Sequence, residues 1–254
     1  MSTARLYATG KCDRLVRSQV ARVNVMGRWA CCLLGLLFTV SSQAGLDTGI
    51  AAYHKKDYQT AYFEFKKAAD KGDPAGKHLL ASLYFKGQGV GKDMEKAFKL
   101  FKDAADKGYR AAQANVGLLY QSGKGVDIDH DKALLYFQMA AEQGDVQSAF
   151  KLGQMYHKGQ GIHVNYRKAA VYFRQAAEHG NIPAINEFGL MYAQGKGVLQ
   201  DYQEAYAWVS IAATAGDSQA KKNLAKLEHL LGASNIPGAK QRAKAIQVMI
   251  DKYK

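Results

Sequence analysis

Seven histidines are the residues whose chemistry would be easiest to recognise, because imidazole can bind a metal ion or carry a proton. They are His54, His78, His130, His157, His163, His179 and His229. They are scattered along the chain, and no three of them have the spacing of a metal-ligand set. His157 and His163 straddle one loop, but no third ligand accompanies them. The sequence therefore predicts no metal centre and no cofactor, and surface histidine is the simpler interpretation.

Motifs of known catalytic chemistry are equally scarce. The sequence contains no GxSxG nucleophile elbow, no phosphate-binding Walker loop and no HExxH zinc motif. Its Gly-x-Gly pairs follow helical apolar patterns, whereas the glycine loop of a nucleotide site follows a strand. The interpretation that best fits these observations is a protein that is not an enzyme.

Glycine pairs recur every 36 residues, and this period is the strongest signal in the sequence. The pairs are Gly87 and Gly89, Gly123 and Gly125, Gly159 and Gly161, and Gly195 and Gly197. A tyrosine precedes each pair by three residues, at Tyr84, Tyr120, Tyr156 and Tyr192. An acid or amide follows each pair, at Asp93, Asp129, Asn165 and Asp201. Residues that recur at one place in every unit indicate a structural role.

Each unit is predicted to be a pair of antiparallel helices. Apolar residues stand at i, i+3 and i+4 on both sides of the glycines, which predicts one helix before and one after them. The glycines supply positive φ for the turn, and the Asp or Asn suits an N-cap of the second helix. Four full units are expected over residues 75–218, an irregular first unit over 45–74, and capping helices over 219–254.

The repeated pattern, A-x-x-x-[LVF]-G-x-x-Y-x-x-G-x-G-V-x-x-D-x-x-K-A, resembles the Sel-like repeat, a relative of the tetratricopeptide repeat. That resemblance implies an all-α fold, a right-handed α-solenoid of helix hairpins. It also implies a role in protein–protein interaction, often in bacterial envelopes. Departures are local: Ala81 replaces a glycine, Asn165 an aspartate and Glu204 a lysine.

Residues 1–44 have the features of an export leader. The apolar stretch Trp29 to Val40 is too short to span a bilayer and is followed by small residues ending at Ala44. We expect cleavage after Ala44 and a mature chain without a transmembrane segment, and Met26 is an alternative start site. All three cysteines lie in this leader, so the mature chain depends on no disulfide. The expected location is periplasmic or secreted, in a bacterium.

The charge balance indicates a solvated helical surface, which argues against a nucleic-acid partner and leaves an acidic partner as an open alternative. The formal charge is +13, and removing the six bases and one acid of residues 1–44 leaves +8. The lysines are dispersed over every unit, whereas a nucleic-acid arm concentrates them. We expect a protein or peptide partner, with a cell-wall component as a further candidate. An alternative from another class is a weak hydrolase of the exported penicillin-binding type, although the cysteine framework of such relatives is missing.

The resemblance to tetratricopeptide repeats also implies where a partner binds. In that family, particular positions of the first helix of each repeat face the concave side of the superhelix. The matching candidate partner-binding residues are His78, Phe85, Lys86, Gln121, Phe150, Gln154, His157, Lys158 and Asn186. Ser82 and Leu118 share the register. This mixture of aromatic, amide and cationic side chains resembles a peptide groove with apolar anchors and charged donors.

Overall fold

The structure, a computed structural model, describes residues 45–253, so the predicted leader lies outside the described residues. Every regular element in that range is a helix. The first, α1, covers residues 45–54. The others are α2 (Tyr58–Asp70), α3 (Pro74–Lys86), α4 (Met94–Asp106), α5 (Arg110–Ser122), α6 (His130–Glu142), α7 (Val146–Lys158), α8 (Tyr166–Glu178), α9 (Ile182–Gln194), α10 (Tyr202–Thr214), α11 (Ser218–Leu231) and α12 (Ile236–Asp251). A short 3-10 turn, Ala233–Asn235, joins the last two.

Each helix from α2 to α10 packs against the next helix along the chain, which confirms the all-α solenoid. Odd-numbered helices up to α11 are the first helices of the repeats, and even-numbered helices up to α10 are the second helices. A first helix packs on the second helix of its own repeat and on that of the preceding repeat. One continuous core therefore runs through the stack, built from alanines, leucines and the second-helix phenylalanines Phe65, Phe101, Phe137 and Phe173.

The inter-helix loops have the predicted geometry. The first glycine of each pair ends its helix in the left-handed conformation, with φ of 69° at Gly123. The second glycine is also left-handed, with φ of 74° at Gly125. The side chain of Asp129 then accepts a hydrogen bond from the Lys132 backbone N–H at 2.9 Å, so it is an N-cap. Asp93, Asn165 and Asp201 cap their helices in the same way.

The second glycine of each pair also lies against the preceding repeat. A Cβ at Gly125 would overlap the backbone carbonyl oxygen of Met94, in the first turn of α4. Gly89 and Gly197 make the same approach to the carbonyl oxygens of Tyr58 and Tyr166. The repeat therefore needs glycine here for two reasons: the left-handed backbone conformation and the closeness of the preceding repeat.

Lysine and tyrosine side chains pair across three of the hairpins. Lys96, in the first turn of α4, lies 4.7 Å from the ring centroid of Tyr84, and Lys132 lies 5.4 Å from that of Tyr120. Such cation–π contacts stabilise by about 0.5–1 kcal/mol at exposed sites. The lysine that recurs in the sequence pattern therefore has a structural partner within its own repeat.

The C-terminal helix is held by a charge that departs from the repeat pattern. Glu204 stands where the other repeats have lysine, and Arg242 of α12 forms a salt bridge with it. Burial and the neighbouring Glu204 carboxylate raise the pKa of Tyr192. Helix α12 packs on α10 and also contacts α8, so it covers the last repeat. The substitution that breaks the sequence pattern thus adds a polar contact to a helix that packs on α10 through the buried Ala239, Ile246 and Ile250.

The double requirement at the second loop glycine can be tested at Gly125. We expect Gly125→Val to lower the free energy of unfolding by more than the about 1–3 kcal/mol of backbone strain alone, because the side chain also overlaps Met94. Gly108 is the matched control, with φ of 83° and open space around its Cβ position. Gly108→Val should cost only the about 1–3 kcal/mol of backbone strain, because its Cβ meets no neighbouring atom. Equal losses in urea denaturation would show that the contact with the preceding repeat contributes nothing.

Candidate binding groove on the first-helix face

Two adjoining pockets lie between the first helices of the N-terminal repeats. One, of about 310 Å³, lies between α3 and α5 with Phe101 at its base. The other, of about 300 Å³, lies between α1 and α3 with Phe65 at its base. Ser82 and Lys86 line both pockets, so α3 forms the ridge between them. We call these two pockets together the N-terminal groove.

The walls of the N-terminal groove are mostly apolar. Leu118 and Ile50 are 38% and 37% exposed, and each lines one of the two pockets. Phe85 and Leu79, both half-buried, complete the walls on either side of α3. Large apolar side chains that are exposed in adjoining concave sites are typical of a surface that binds a partner.

His78 provides a buried polar group in the pocket between α3 and α5. Its Nε2 lies 3.0 Å from the Asn115 Nδ2, and its ring lies against Phe101 and Tyr109 at centroid distances of 5.4 and 5.2 Å. With Asn115 donating to Nε2, the neutral ring carries its proton on Nδ1, which has no partner among the described residues. Burial lowers the pKa of His78 to about 4. The group is therefore neutral at physiological pH and serves the pocket as a dipole.

Two lysines mark the edge of the N-terminal groove. Lys86 donates to the Tyr53 hydroxyl at 2.7 Å, and the Lys124 ammonium lies 6.0 Å from the Phe85 ring centroid. Neither lysine forms a salt bridge with an acid of the described chain. No acidic residue lines either pocket. The groove therefore combines apolar walls with unneutralised positive charge.

Of the residues predicted from the sequence, the structure brings His78, Phe85 and Lys86 together in one pocket. Gln121 is half-buried near the end of α5 and lines neither pocket. Gln154 and Lys158 lie on α7, two repeats further along, with Gln154 half-buried and Lys158 exposed. They are therefore separate from the N-terminal groove.

His157 is half-buried near the end of α7 and contacts aromatic residues of α8. Its ring lies 5.5 Å from that of Tyr166 and 6.1 Å from that of Phe173. Burial, and then the charges of Lys196 and Lys158, lower the pKa of His157. This histidine therefore belongs to a positively charged part of the first-helix face.

Two predicted partner-binding residues are buried, which corrects the expectation that they are exposed. Phe150 is only 8% exposed and packs against Phe173 at a centroid distance of 5.8 Å. Asn186 is 4% exposed and accepts a hydrogen bond from the Asn223 side chain at 3.0 Å. Phe150 fills the space above the second-helix phenylalanine of its repeat, and the Asn186 side chain is hydrogen-bonded to Asn223. Neither Phe150 nor Asn186 is therefore available at the surface for a partner.

Other residues of the groove were not among the predicted ones. Ile50 and Tyr53 belong to the irregular first unit, whose shorter loop hides the register of the later repeats. That loop turns at Lys56, a non-glycine residue with φ of 63°. Lys124 lies between the two glycines of the second loop. The sequence gives one indication of this role, which is the place of Lys124 in the loop, since a lysine there can reach the first helix of the preceding repeat.

The described chain contains two serine–lysine pairs with the spacing Ser-x-x-Lys, which is the nucleophile motif of penicillin-binding enzymes. The spacing occurs at Ser148 and Lys151, and at Ser218 and Lys221. Ser148 is 1% exposed inside the hairpin stack, so a substrate cannot reach its hydroxyl. Ser218 is exposed on the first turn of α11, outside the pockets described above. Neither pair supports the hydrolase alternative.

Between residues 45 and 253, no three histidine, cysteine or acidic side chains come together in an arrangement that would hold a metal ion. Within the same range, no helix combines the length and hydrophobicity needed to cross a bilayer.

The buried His78 makes stability depend on pH. The unfolded chain takes up a proton at His78 near pH 6.5 but the folded chain only near pH 4, so the free energy of unfolding falls as the pH drops through this interval. We expect His78→Gln to remove about 2 kcal/mol of that fall, because glutamine does not titrate. Chemical denaturation of both proteins between pH 7 and 4.5 measures the difference. Parallel curves would show that His78 is protonated without penalty in the folded state.

Comparisons with known proteins agree with this architecture. The family model described as Sel1 repeat matches residues 30–73, 74–109, 110–145, 146–181 and 182–217. Its first match begins inside the predicted leader and makes a fifth repeat of the unit expected to be irregular. No match was found among curated proteins.

Solved structures of bacterial repeat proteins are similar to this chain. A Sel1 repeat protein from Oxalobacter formigenes is 35% identical to this chain, with a TM-score of 0.68. The aligned region covers 71% of this chain and 74% of that protein. The antigen c5321 of uropathogenic Escherichia coli, with an SLR fold, is 29% identical with a TM-score of 0.73. The match covers 83% of this chain but 46% of that protein. Five consecutive repeats and this likeness show that the chain belongs to the Sel1 repeat family.

Proposed function

We propose that this protein is an exported scaffold that binds a protein or peptide partner on the concave, first-helix face of its solenoid. Sel1 repeat proteins generally mediate protein–protein interaction. The single observation that carries the placement is the N-terminal groove, where two apolar pockets adjoin across α3. A continuous site of this kind suits an extended or helical segment of another chain.

The second-helix face offers fewer features for a partner. Its lysines are often paired with acids of the same helix, as in Lys66 with Asp70 and Lys102 with Asp106. Exposed apolar side chains do occur there, such as Leu135 and Val171, but none lines a pocket described here. Scattered apolar residues are usual on any protein surface. The first-helix face is therefore the better candidate.

Export is supported by the sequence of residues 1–44. The short apolar stretch and small residues before Gly45 have the pattern of a signal peptide. One similar structure is described as a protective antigen of uropathogenic Escherichia coli, which is compatible with an exported role for that relative. We propose a periplasmic or secreted location for this chain on the same grounds.

The groove can be tested with two exposed leucines on neighbouring helices. Leu118 lines the N-terminal groove and is 38% exposed, whereas Leu135 lies on α6 and is 53% exposed. We expect Leu118→Glu to weaken binding of a partner isolated from the native host by at least about tenfold, because it replaces an apolar wall with a carboxylate that loses its water when the pocket is filled. Leu135→Glu should bind as the unchanged protein does. Isothermal titration calorimetry gives both affinities, and circular dichroism checks that both variants keep the fold.

The opposite pattern would contradict the proposal. If Leu135→Glu abolishes binding while Leu118→Glu leaves it unchanged, the partner uses the second-helix face. Phe150→Ala is unsuitable for this test, because it removes a buried ring that packs on Phe173.

Processing of the leader is tested by the mass of the protein purified from its native host. We expect an intact mass that corresponds to a chain beginning at Gly45, because Ser42, Gln43 and Ala44 precede a signal-peptidase site of small residues. Recovery from the periplasmic or culture fraction should accompany that mass. A native protein that retains Trp29 to Val40 would contradict both the cleavage and the location.

A further inference from the structure

The shape and charge of the N-terminal groove indicate which class of partner segment it binds. This inference rests on the proposed function. Its two pockets have nearly equal volumes, about 310 and 300 Å³, at the lower end of the range for ligand pockets. They lie on opposite sides of a single helix, α3. A pair of side chains, one in each pocket, would fill such a site better than one compact molecule.

The spacing of the pockets sets the spacing of those side chains. The pockets occupy successive gaps between first helices, which touch α3 through the His78–Asn115 and Lys86–Tyr53 hydrogen bonds. Helices joined by side-chain contacts are about 10 Å apart. An extended chain advances about 3.3 Å per residue, so two residues three positions apart span about 10 Å. An extended segment with large apolar residues at i and i+3 therefore matches the groove.

The charges around the groove point to an acidic segment. Lys86 lines both pockets, and Lys124 lies over the ring of Phe85 in one of them. Both lysines lack an acidic partner, whereas Lys77, close by on α3, forms a salt bridge with Asp103 at 2.9 Å. Positive charge left unpaired beside an apolar site is complemented by carboxylates on the partner.

The same charges disfavour two other occupants. The leader of this chain, residues 1–44, carries six bases and one acid, so it would bring like charge to Lys86 and Lys124. A second copy of the chain would also bring an excess of positive charge, since residues 45–254 have a formal charge of +8. Like charges placed together oppose association.

We propose that the N-terminal groove binds an extended acidic peptide segment that places two large apolar side chains, three residues apart, in the pockets on either side of α3. Carboxylates flanking these side chains meet Lys86 and Lys124. Apolar burial supplies most of the affinity, and the lysines select against neutral and basic segments.

The test uses the chain from residue 45 to 254 and a phage library of random twelve-residue peptides. Selected peptides are expected to carry two large apolar residues at i and i+3 with Asp or Glu beside them. The best peptide is then synthesised with its acids and, separately, with lysines in their place. Fluorescence anisotropy should show that the unchanged protein binds the acidic version at least about tenfold more tightly, with the difference shrinking as salt is added.

Charge reversal provides the sharpest readout. Lys86→Glu with Lys124→Glu should invert the preference, so that the lysine version binds more tightly than the acidic one. The matched control is Lys99→Glu with Lys244→Glu, two exposed lysines on α4 and α12 outside the groove. This control should keep the preference of the unchanged protein, while Leu118→Glu should weaken binding of both peptides.

Several results would overturn the proposal. Selected peptides without acids, or an acidic preference that survives reversal of both lysines, would contradict the charge assignment. Tight binding of a synthetic peptide of residues 26–44 in the groove, or dimerisation abolished by Leu118→Glu, would assign the groove to this chain itself.

The proposed function can fail separately. If peptide binding is insensitive to Leu118→Glu but weakened by Lys158→Glu, the partner uses the first-helix face in another repeat. The proposed function would then stand, and the assignment to the N-terminal groove would be wrong. Binding weakened only by Leu135→Glu would reject the first-helix face altogether, and a library that yields no binder would count against both proposals.

Discussion

The close approach of each second loop glycine to the preceding repeat is the constraint on which the rest of the structure depends. At Gly125 there is no room for a Cβ beside the Met94 carbonyl oxygen. This contact sets the distance between neighbouring hairpins, and the aromatic cores then fit at that distance. Within its own hairpin, Gly117 has a comparable role, because a Cβ there would lie 2.7 Å from the Phe137 ring. Small residues set the spacing, and large residues fill what remains.

A repeat that uses its recurring residues for stacking leaves the variable ones for recognition. The glycines, the N-cap acids and the lysine–tyrosine pairs all have partners inside the solenoid. The same first-helix position holds His78, Phe150 and Asn186 in different repeats, each with its own neighbours. The groove is consequently a local property of the N-terminal repeats, where His78 and Phe85 leave space between first helices.

The sequence predicts the hairpins, their loops and their caps well, because each depends on residues close together in the chain. It does not predict which first-helix residues are exposed. Phe85 and Phe150 are both aromatic residues on first helices, yet Phe85 lines a pocket and Phe150 packs against Phe173. Lys124 contributes to the groove through a ring in the preceding repeat. Exposure and these contacts depend on packing between repeats, which a periodic pattern does not specify.

The exchange of lysine for glutamate at position 204 affects whether a further hairpin can add to the C-terminal end of the solenoid. A solenoid exposes at its end the same kind of surface that each internal repeat offers to the next, so an uncovered end is a template for polymerisation. Helix α12 packs on the second helices α10 and α8, and its Arg242 is matched to a carboxylate that the internal repeats lack. An incoming hairpin with lysine and no such arginine cannot reproduce this pairing. The terminal salt bridge therefore marks the last repeat, because α12 would lose this contact on any internal repeat.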